Sequence, residues 1–203
     1  RSRVGGRATE SVVGRLLDVR NRRCAPVASN GASGERQAYG RGERAARMHG
    51  TGVPLATPFD DAGAVGHDAL REIVEWTTDR GVGFLAPCGS TGEAELLTLE
   101  ERAAVVETVV DATPADTPVL AGTGHPGLAE TREQTRRAAD AGADGVLVLT
   151  PPYYGHNDAA LGAYYREVAD ASTLPVYLYC APQFTGVHLG PELVADLATH
   201  PNV

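Results

Sequence analysis

The sequence has no lysine: all 18 of its basic residues are arginine. It has only three cysteines, Cys24, Cys88 and Cys180, which lie far apart. An odd number of dispersed cysteines excludes a disulfide-stapled fold, and the lack of a CxxC pair excludes a cysteine-knuckle metal site. No apolar run approaches the roughly 20 residues of a membrane-spanning helix, so we expect no membrane partner. The six histidines form no metal-binding motif, so we predict neither a metal site nor a cofactor.

Charge divides the chain into two unlike segments. Residues 1–47 hold 11 arginines against four acidic residues, a net charge of +7, and residues 48–203 hold seven arginines against 22, a net charge of −15. The total of −8 argues against a nucleic-acid partner, which requires a basic face. We interpret residues 1–47 as a disordered basic extension or, preferably, as upstream sequence assigned in error, with translation starting at Met48, the only methionine.

From Met48 onward, strand-like and helix-like segments alternate. The apolar strand-like runs are Gly52–Thr57, Gly83–Pro87, Val119–Ala121, Gly145–Leu149 and Val176–Tyr179. The helix-like stretches between and after them are Asp68–Arg80, Leu99–Asp111, Glu130–Ala141, Leu161–Ala171 and Pro191–Thr199. Continuously apolar strands are typical of a parallel sheet covered on both faces, which leaves an open doubly wound sheet or a (β/α)8 barrel. Length alone favours the open sheet, because a barrel needs eight units.

Two glycine-rich segments follow strands and are candidate binding loops. Gly89–Glu93 combines two glycines with the hydroxyls of Ser90 and Thr91, a composition suited to holding a carboxylate or a phosphate. The alternative for this segment is a plain turn with a helix cap. Gly122–Gly127 matches the GxGxxG dinucleotide pattern, but the next strand ends without the acidic residue that pattern requires, so we interpret it as a tight turn.

Taken together and in order, five motifs resemble the dihydrodipicolinate synthase and N-acetylneuraminate lyase family of pyruvate-dependent class I aldolases. The motifs are Val53–Phe59, Gly89–Glu93, Ala121–Gly124, Thr150–Tyr154 and Tyr177–Pro182. The resemblance covers residues 48–203 and overrides the length argument. It implies an α/β fold, a (β/α)8 TIM barrel truncated after about five βα units.

The resemblance also implies a chemistry and a set of site residues. In the family, a lysine on strand six forms a Schiff base with pyruvate or another 2-keto acid, and carbon–carbon bonds form or break beside the imine. By motif, Gly89, Ser90 and Thr91 bind the carboxylate, Thr91 also relays protons, and Tyr179 transfers a proton. Tyr154, or Tyr153, is the tyrosine contributed across a subunit interface, and Thr57 lines the site from strand one.

Two positions depart from the synthase pattern. Synthases usually carry an arginine where this chain has Phe184, and a threonine where it has Ser90. A phenyl ring cannot bind the carboxylate of the aldehyde partner. We therefore expect a 2-keto-3-deoxy-gluconate or phosphogluconate type aldolase, with 4-hydroxy-tetrahydrodipicolinate synthase as the alternative. Cys180 replaces a common asparagine.

The missing lysine separates two further hypotheses. In one, the sequence is a partial record of an active aldolase whose Schiff-base lysine lies a few residues beyond Val203. In the other, it is a catalytically dead half-barrel. The family implies a homotetramer, with contacts through the Tyr153–Tyr154 loop. We expect a cytoplasmic protein, and the acidic, lysine-free segment favours a halophilic origin.

Overall fold

A computed structural model of the chain describes residues 48–203, and the expectations for residues 1–47 lie outside these described residues. Five parallel strands and six α-helices alternate along the chain. The strands are β1 (Gly52–Pro54), β2 (Phe84–Ala86), β3 (Leu120–Gly122), β4 (Gly145–Leu149) and β5 (Val176–Tyr179). The helices are α1 (His67–Thr78), α2 (Leu99–Ala112), α3 (Leu128–Asp140), α4 (Asp158–Ala171), α5 (Pro182–Thr185) and α6 (Pro191–Leu197).

All ten elements expected from the sequence are present, and their ends differ by at most three residues. Three short elements were not expected. Two are 3₁₀ turns at Ser90–Gly92 and Ala94–Leu96, and the third is α5. All three lie in the loops after β2 and β5, whose glycine, proline and hydroxyl residues are typical of turns and obscure a short helical pattern.

The strands lie side by side in the order in which they occur in the chain. β1 pairs with β2, β3 with β4, and β4 with β5, always in parallel. A bridge from Leu85 to Val119 and the hydrogen bond from Gly122 N to Pro87 O, 2.9 Å long, connect the two groups. Doubly wound sheets reverse the winding direction partway, whereas a barrel winds one way throughout. The strand order is therefore that of consecutive units of a (β/α)8 barrel, and the open-sheet alternative is wrong.

The core lies between the strands and the helices that cover them. Leu85, Val119, Val146 and Val148 from the strands are fully buried. They pack with the inner faces of the helices, which supply Leu70, Val74, Val105, Val109, Leu161, Tyr165 and Val168. Beyond α6, the carbonyl of Asn202 accepts from Val176 N at 2.8 Å, so the chain returns beside β5. Within residues 48–203, no helix combines the length and the apolar character that crossing a membrane requires.

The start of α2 confirms the capping box predicted at Thr98. The Thr98 hydroxyl accepts from Glu101 N at 3.2 Å, and Thr98 N donates to Glu101 Oε2 at 2.8 Å. These two bonds satisfy donors that a helix start otherwise leaves free. They also fix the first turn of α2, which contains the buried Arg102. The donated hydrogen bonds from Thr98 hold the pKa of Glu101 below its ordinary value.

We predict that Thr98→Ala lowers the free energy of unfolding by about 1 kcal/mol, because the helix loses its N-cap acceptor. Urea denaturation followed by circular dichroism measures the change. Thr98→Ser, which keeps the hydroxyl, should stay close to the wild type. Equal unfolding midpoints for the alanine and serine variants would show that the cap contributes nothing.

Candidate active site

A cavity of about 250 Å³ lies at the carboxyl ends of the strands. The loops after β2, β3, β4 and β5 converge there because parallel strands end on the same side of a sheet. This is the face on which (β/α)8 barrels build their sites. Its lining residues are Cys88, Gly89, Ser90, Glu93, Ala94, Glu95, Leu96, Arg102, Gly122, Gly124, Leu147, Leu149, Pro152, Tyr179, Phe184 and Thr185.

The loop after β2 forms one wall of the cavity. Its 3₁₀ turn is flanked by two residues in the left-handed backbone region, Cys88 at φ +55° and Glu93 at φ +53°. Non-glycine residues seldom adopt this conformation, and those that do are enriched at functional sites. The turn presents the backbone and hydroxyl of Ser90 on the surface of the loop. The structure thus gives Gly89–Gly92 the curled backbone that the sequence predicts.

Ser90 and Tyr179 meet in the cavity although 89 residues separate them in the sequence. The Ser90 hydroxyl lies 3.3 Å from the Tyr179 hydroxyl, and either atom can donate. Ser90 is exposed and Tyr179 is half-buried at the end of β5. Two hydroxyls that face one cavity can both hydrogen-bond a small anion or exchange a proton with it.

The other expected site residues lie around this pair rather than on the cavity wall. Thr57 is buried beneath the loop, where its hydroxyl donates to Gly92 O at 2.7 Å, so it supports the loop and does not line the site. Thr91 is exposed beside Ser90 and is likewise not on the wall. Tyr153 and Tyr154 are 86% and 67% exposed, with their rings packed edge to face against each other. Such aromatic exposure is typical of a surface that contacts a partner.

Gly122 and Gly124 are required by close packing. A Cβ on Gly122 would lie 1.9 Å from Cys88 O, and one on Gly124 would lie 2.5 Å from Leu149 N. The glycines therefore let backbones touch, which confirms the interpretation of Gly122–Gly127 as a tight turn. The nucleotide alternative receives no support, because the close approach at both glycines is to backbone of the protein itself.

Sequence reasoning missed Arg102. This residue is 3% exposed, lines the cavity, and donates from Nη2 to Gly122 O at 3.3 Å and to Gly124 O at 3.0 Å. A helical arginine is usually on the surface. The helical spacing of the sequence could have indicated its burial. The residues three, four and seven positions after Arg102 are Val105, Val106 and Val109, all of which are buried. Arg102 therefore lies on the buried face of α2.

Cys88 lines the cavity as a protonated thiol. It is 3% exposed, and its Sγ donates to Arg102 O at 3.6 Å. Burial raises the pKa of Cys88 to about 12, although the neighbouring Arg102 charge acts in the opposite direction. A thiol with this pKa is a poor nucleophile at neutral pH. Cys88 is therefore a structural residue of the cavity wall.

Within residues 48–203, no group of three or more His, Cys, Asp and Glu side chains is placed to hold a metal ion.

Comparison with known proteins identifies relatives of this site. A model of the dihydrodipicolinate synthetase family matches residues 47–203. The 4-hydroxy-tetrahydrodipicolinate synthase of Methanothrix thermoacetophila is 45% identical over 149 residues, which are 73% of this chain and 50% of that protein. The chain spans about half the length of the curated relatives it matches.

Solved structures show the same fold. A dihydrodipicolinate synthase from Acinetobacter baumannii, chloride-inhibited and complexed with pyruvate, gives a TM-score of 0.75 at 35% identity, over 77% of this chain and 53% of that chain. A sialic acid aldolase from Ruminococcus gnavus, solved as a catalytic lysine mutant, gives a TM-score of 0.71 at 23% identity, over 75% of this chain and 50% of that chain. The second similarity supports the fold alone.

We predict that iodoacetamide at pH 8 alkylates Cys88 at least about 100-fold more slowly in the folded chain than in guanidinium chloride, because burial suppresses the thiolate. Peptide mass spectrometry gives the extent at each cysteine, and half-buried Cys180 serves as the internal comparison. Rapid native labelling of Cys88 would contradict its place in the wall.

The same burial predicts a loss of stability in alkali. The folded pKa lies above that of the unfolded thiol, so the contribution to stability is complete below about pH 8.5 and declines as the pH rises toward 12. Cys88→Ala should show a shallower decline in the free energy of unfolding over this range. Identical pH profiles for the variant and the wild type would contradict the assignment.

Proposed function

The chain belongs to the dihydrodipicolinate synthetase family, and from this membership we propose that residues 48–203 form the 2-oxo-acid-binding part of a Schiff-base-forming carbon–carbon lyase. The substrate we propose for the cavity is pyruvate. The observation that carries this proposal is the contact of Ser90 with Tyr179 inside the cavity. It supports the proposal because it brings a hydroxyl able to hydrogen-bond a carboxylate next to a hydroxyl able to transfer a proton.

The loop after β2 supplies the carboxylate site. The Ser90 hydroxyl can donate to a ligand in the cavity when it accepts from Tyr179, and exposed Thr91 carries a second hydroxyl on the same loop. Hydrogen bonds to a charged acceptor are about twice as strong as those between neutral groups. Thr57 holds Gly92 O from below, so the loop keeps its curl when the ligand is absent. We therefore assign carboxylate binding to Gly89, Ser90 and Thr91.

Tyr179 is the proposed proton-transfer residue. Its hydroxyl lies within reach of the atoms beside a carboxylate bound at Ser90. A proton must leave the methyl carbon of the pyruvate imine before that carbon can attack an aldehyde, and return when the bond is cleaved. A phenol on a strand end can shuttle this proton when a second hydroxyl shares its hydrogen bond.

The aldehyde partner we propose is that of 4-hydroxy-tetrahydrodipicolinate synthase. The expected gluconate-type aldolase receives no support from the comparisons, because the similar curated proteins are named 4-hydroxy-tetrahydrodipicolinate synthase at 42–45% identity. Ser90 and Phe184 alone led to the earlier expectation. Phe184 does line the cavity and is 66% exposed, so it offers the partner an apolar ring instead of a guanidinium.

The imine requires a primary amine, and these 203 residues contain no lysine. Arginine stays protonated and cannot replace it. The proposal for residues 48–203 is therefore binding and proton transfer, with imine formation assigned to a lysine outside this sequence. For the whole protein we propose a homotetramer, with the exposed Tyr153–Tyr154 pair at a subunit contact.

We predict saturable binding of pyruvate to the 203-residue chain, with amide shifts centred on Gly89–Gly92 and Tyr179 in a ¹H–¹⁵N NMR titration. Ser90→Ala should raise the dissociation constant for pyruvate about tenfold, because one charge-assisted hydrogen bond is lost. Ser90→Thr is the matched control and should bind like the wild type. Shifts elsewhere, or equal affinities for the alanine and threonine variants, would contradict the assignment of the carboxylate site.

A further inference from the structure

Arg102 is the only basic residue among those that line the cavity. It is 3% exposed, and no carboxylate within residues 48–203 forms an ion pair with it. Its Nη2 is satisfied by two backbone carbonyls, while its buried Nε has no hydrogen-bond partner. A guanidinium stays charged at any physiological pH, so the cavity wall contains a positive charge without a counter-ion from the described residues.

A buried charge without a partner is costly, and proteins retain one where it has a use. Two carbonyl oxygens compensate a guanidinium only partly. The remaining positive potential extends into the cavity, where the apolar wall screens it less than water would. Glu93 and Glu95 also line the cavity, but both side chains are exposed, so solvent weakens their charges more than it weakens the charge of buried Arg102. The net result favours an anion in the interior.

Arg102 also connects the two loops that shape the carboxylate site. Its side chain holds the carbonyls of Gly122 and Gly124, and its own carbonyl accepts from the Cys88 thiol at the base of the Gly89–Gly92 loop. A single residue of α2 thus contacts the loop after β2 and the loop after β3. Removing its charge alters the electrostatics of the cavity, and removing its donors loosens the loop after β3.

We propose that Arg102 is a positioning and specificity-determining residue that makes the cavity select anionic 2-oxo acids over their neutral analogues. This inference rests on the proposed function and adds to it a residue on α2, outside the strand-end motifs. It also accounts for a feature of this chain, because Phe184 contributes no charge and leaves Arg102 as the cation of the lining residues. Arg102 acts through the field and the loops, and does not touch the reacting atoms.

The test compares pyruvate with its neutral ester, methyl pyruvate, by NMR titration of the 203-residue chain. The wild type should bind pyruvate at least about tenfold more tightly than the ester. Two variants remove the charge: Arg102→Gln keeps an amide donor, and Arg102→Met keeps only a long side chain. Each should reduce the preference for pyruvate over the ester about fivefold or more, with little change in the affinity for the ester. Arg132→Gln, an equal charge change on the exposed face of α3, should keep the wild-type ratio.

The outcomes separate this inference from the proposed function. A wild type that binds pyruvate at Ser90 while both Arg102 variants keep the full ratio would overturn the role of Arg102 and leave the function standing. An equal loss of affinity for pyruvate and for methyl pyruvate would show that Arg102 has a purely structural role, and would also overturn the inference. A wild type that binds no pyruvate would overturn the function itself.

A measurement on the wild type covers the case in which neither variant folds. The ¹⁵Nε–¹Hε resonance of Arg102 should shift on addition of pyruvate and stay unchanged with methyl pyruvate, because the Nε–H has no partner in the ligand-free chain. An unchanged resonance at saturating pyruvate would overturn the proposal.

Discussion

The candidate site depends on the junction between β2 and β3. There the backbone of Gly122 passes so close to Cys88 that a Cβ would lie 1.9 Å from the Cys88 carbonyl. The hydrogen bond from Gly122 N to Pro87 O and the bridge from Leu85 to Val119 connect the two-stranded and three-stranded groups at this point. Without this contact, the loop that carries Ser90 and the strand that carries Tyr179 would belong to separate sheets. The cavity is therefore a product of parallel strands held at one common edge.

The sequence predicted the elements well, because apolar strands, helical periodicity and the Thr98 capping box are local signals. It also predicted Ser90 and Tyr179 as site residues, through motifs that sit where strands end. The sequence did not predict the positions of side chains that depend on contacts between several elements. Thr57 lies not on the cavity wall but beneath the loop, where its hydroxyl is bound to Gly92 O, a contact between residues 35 positions apart. Arg102 is buried because α2 turns that face toward β3, a fact that no single segment shows.

The charges of the cavity also differ from what the motifs alone indicate. Phe184 contributes no charge to the cavity lining, whereas Arg102 contributes a positive one. The motifs that carry the family resemblance do not include α2. A comparison limited to these motifs therefore does not reveal the charge of Arg102. The comparisons support the synthase-type alternative over the gluconate-type expectation, and the described structure has one buried guanidinium, that of Arg102, in the cavity wall. In this account specificity is shared between strand-end loops and a helix behind them.

The central claim is that the cavity at the strand ends binds pyruvate by its carboxylate. A crystal structure of the 203-residue chain grown with pyruvate tests it most directly. We expect the carboxylate within hydrogen-bond distance of the Ser90 hydroxyl and the ketone carbon facing Tyr179. Pyruvate bound outside the cavity, or with its methyl group toward Ser90, would contradict it.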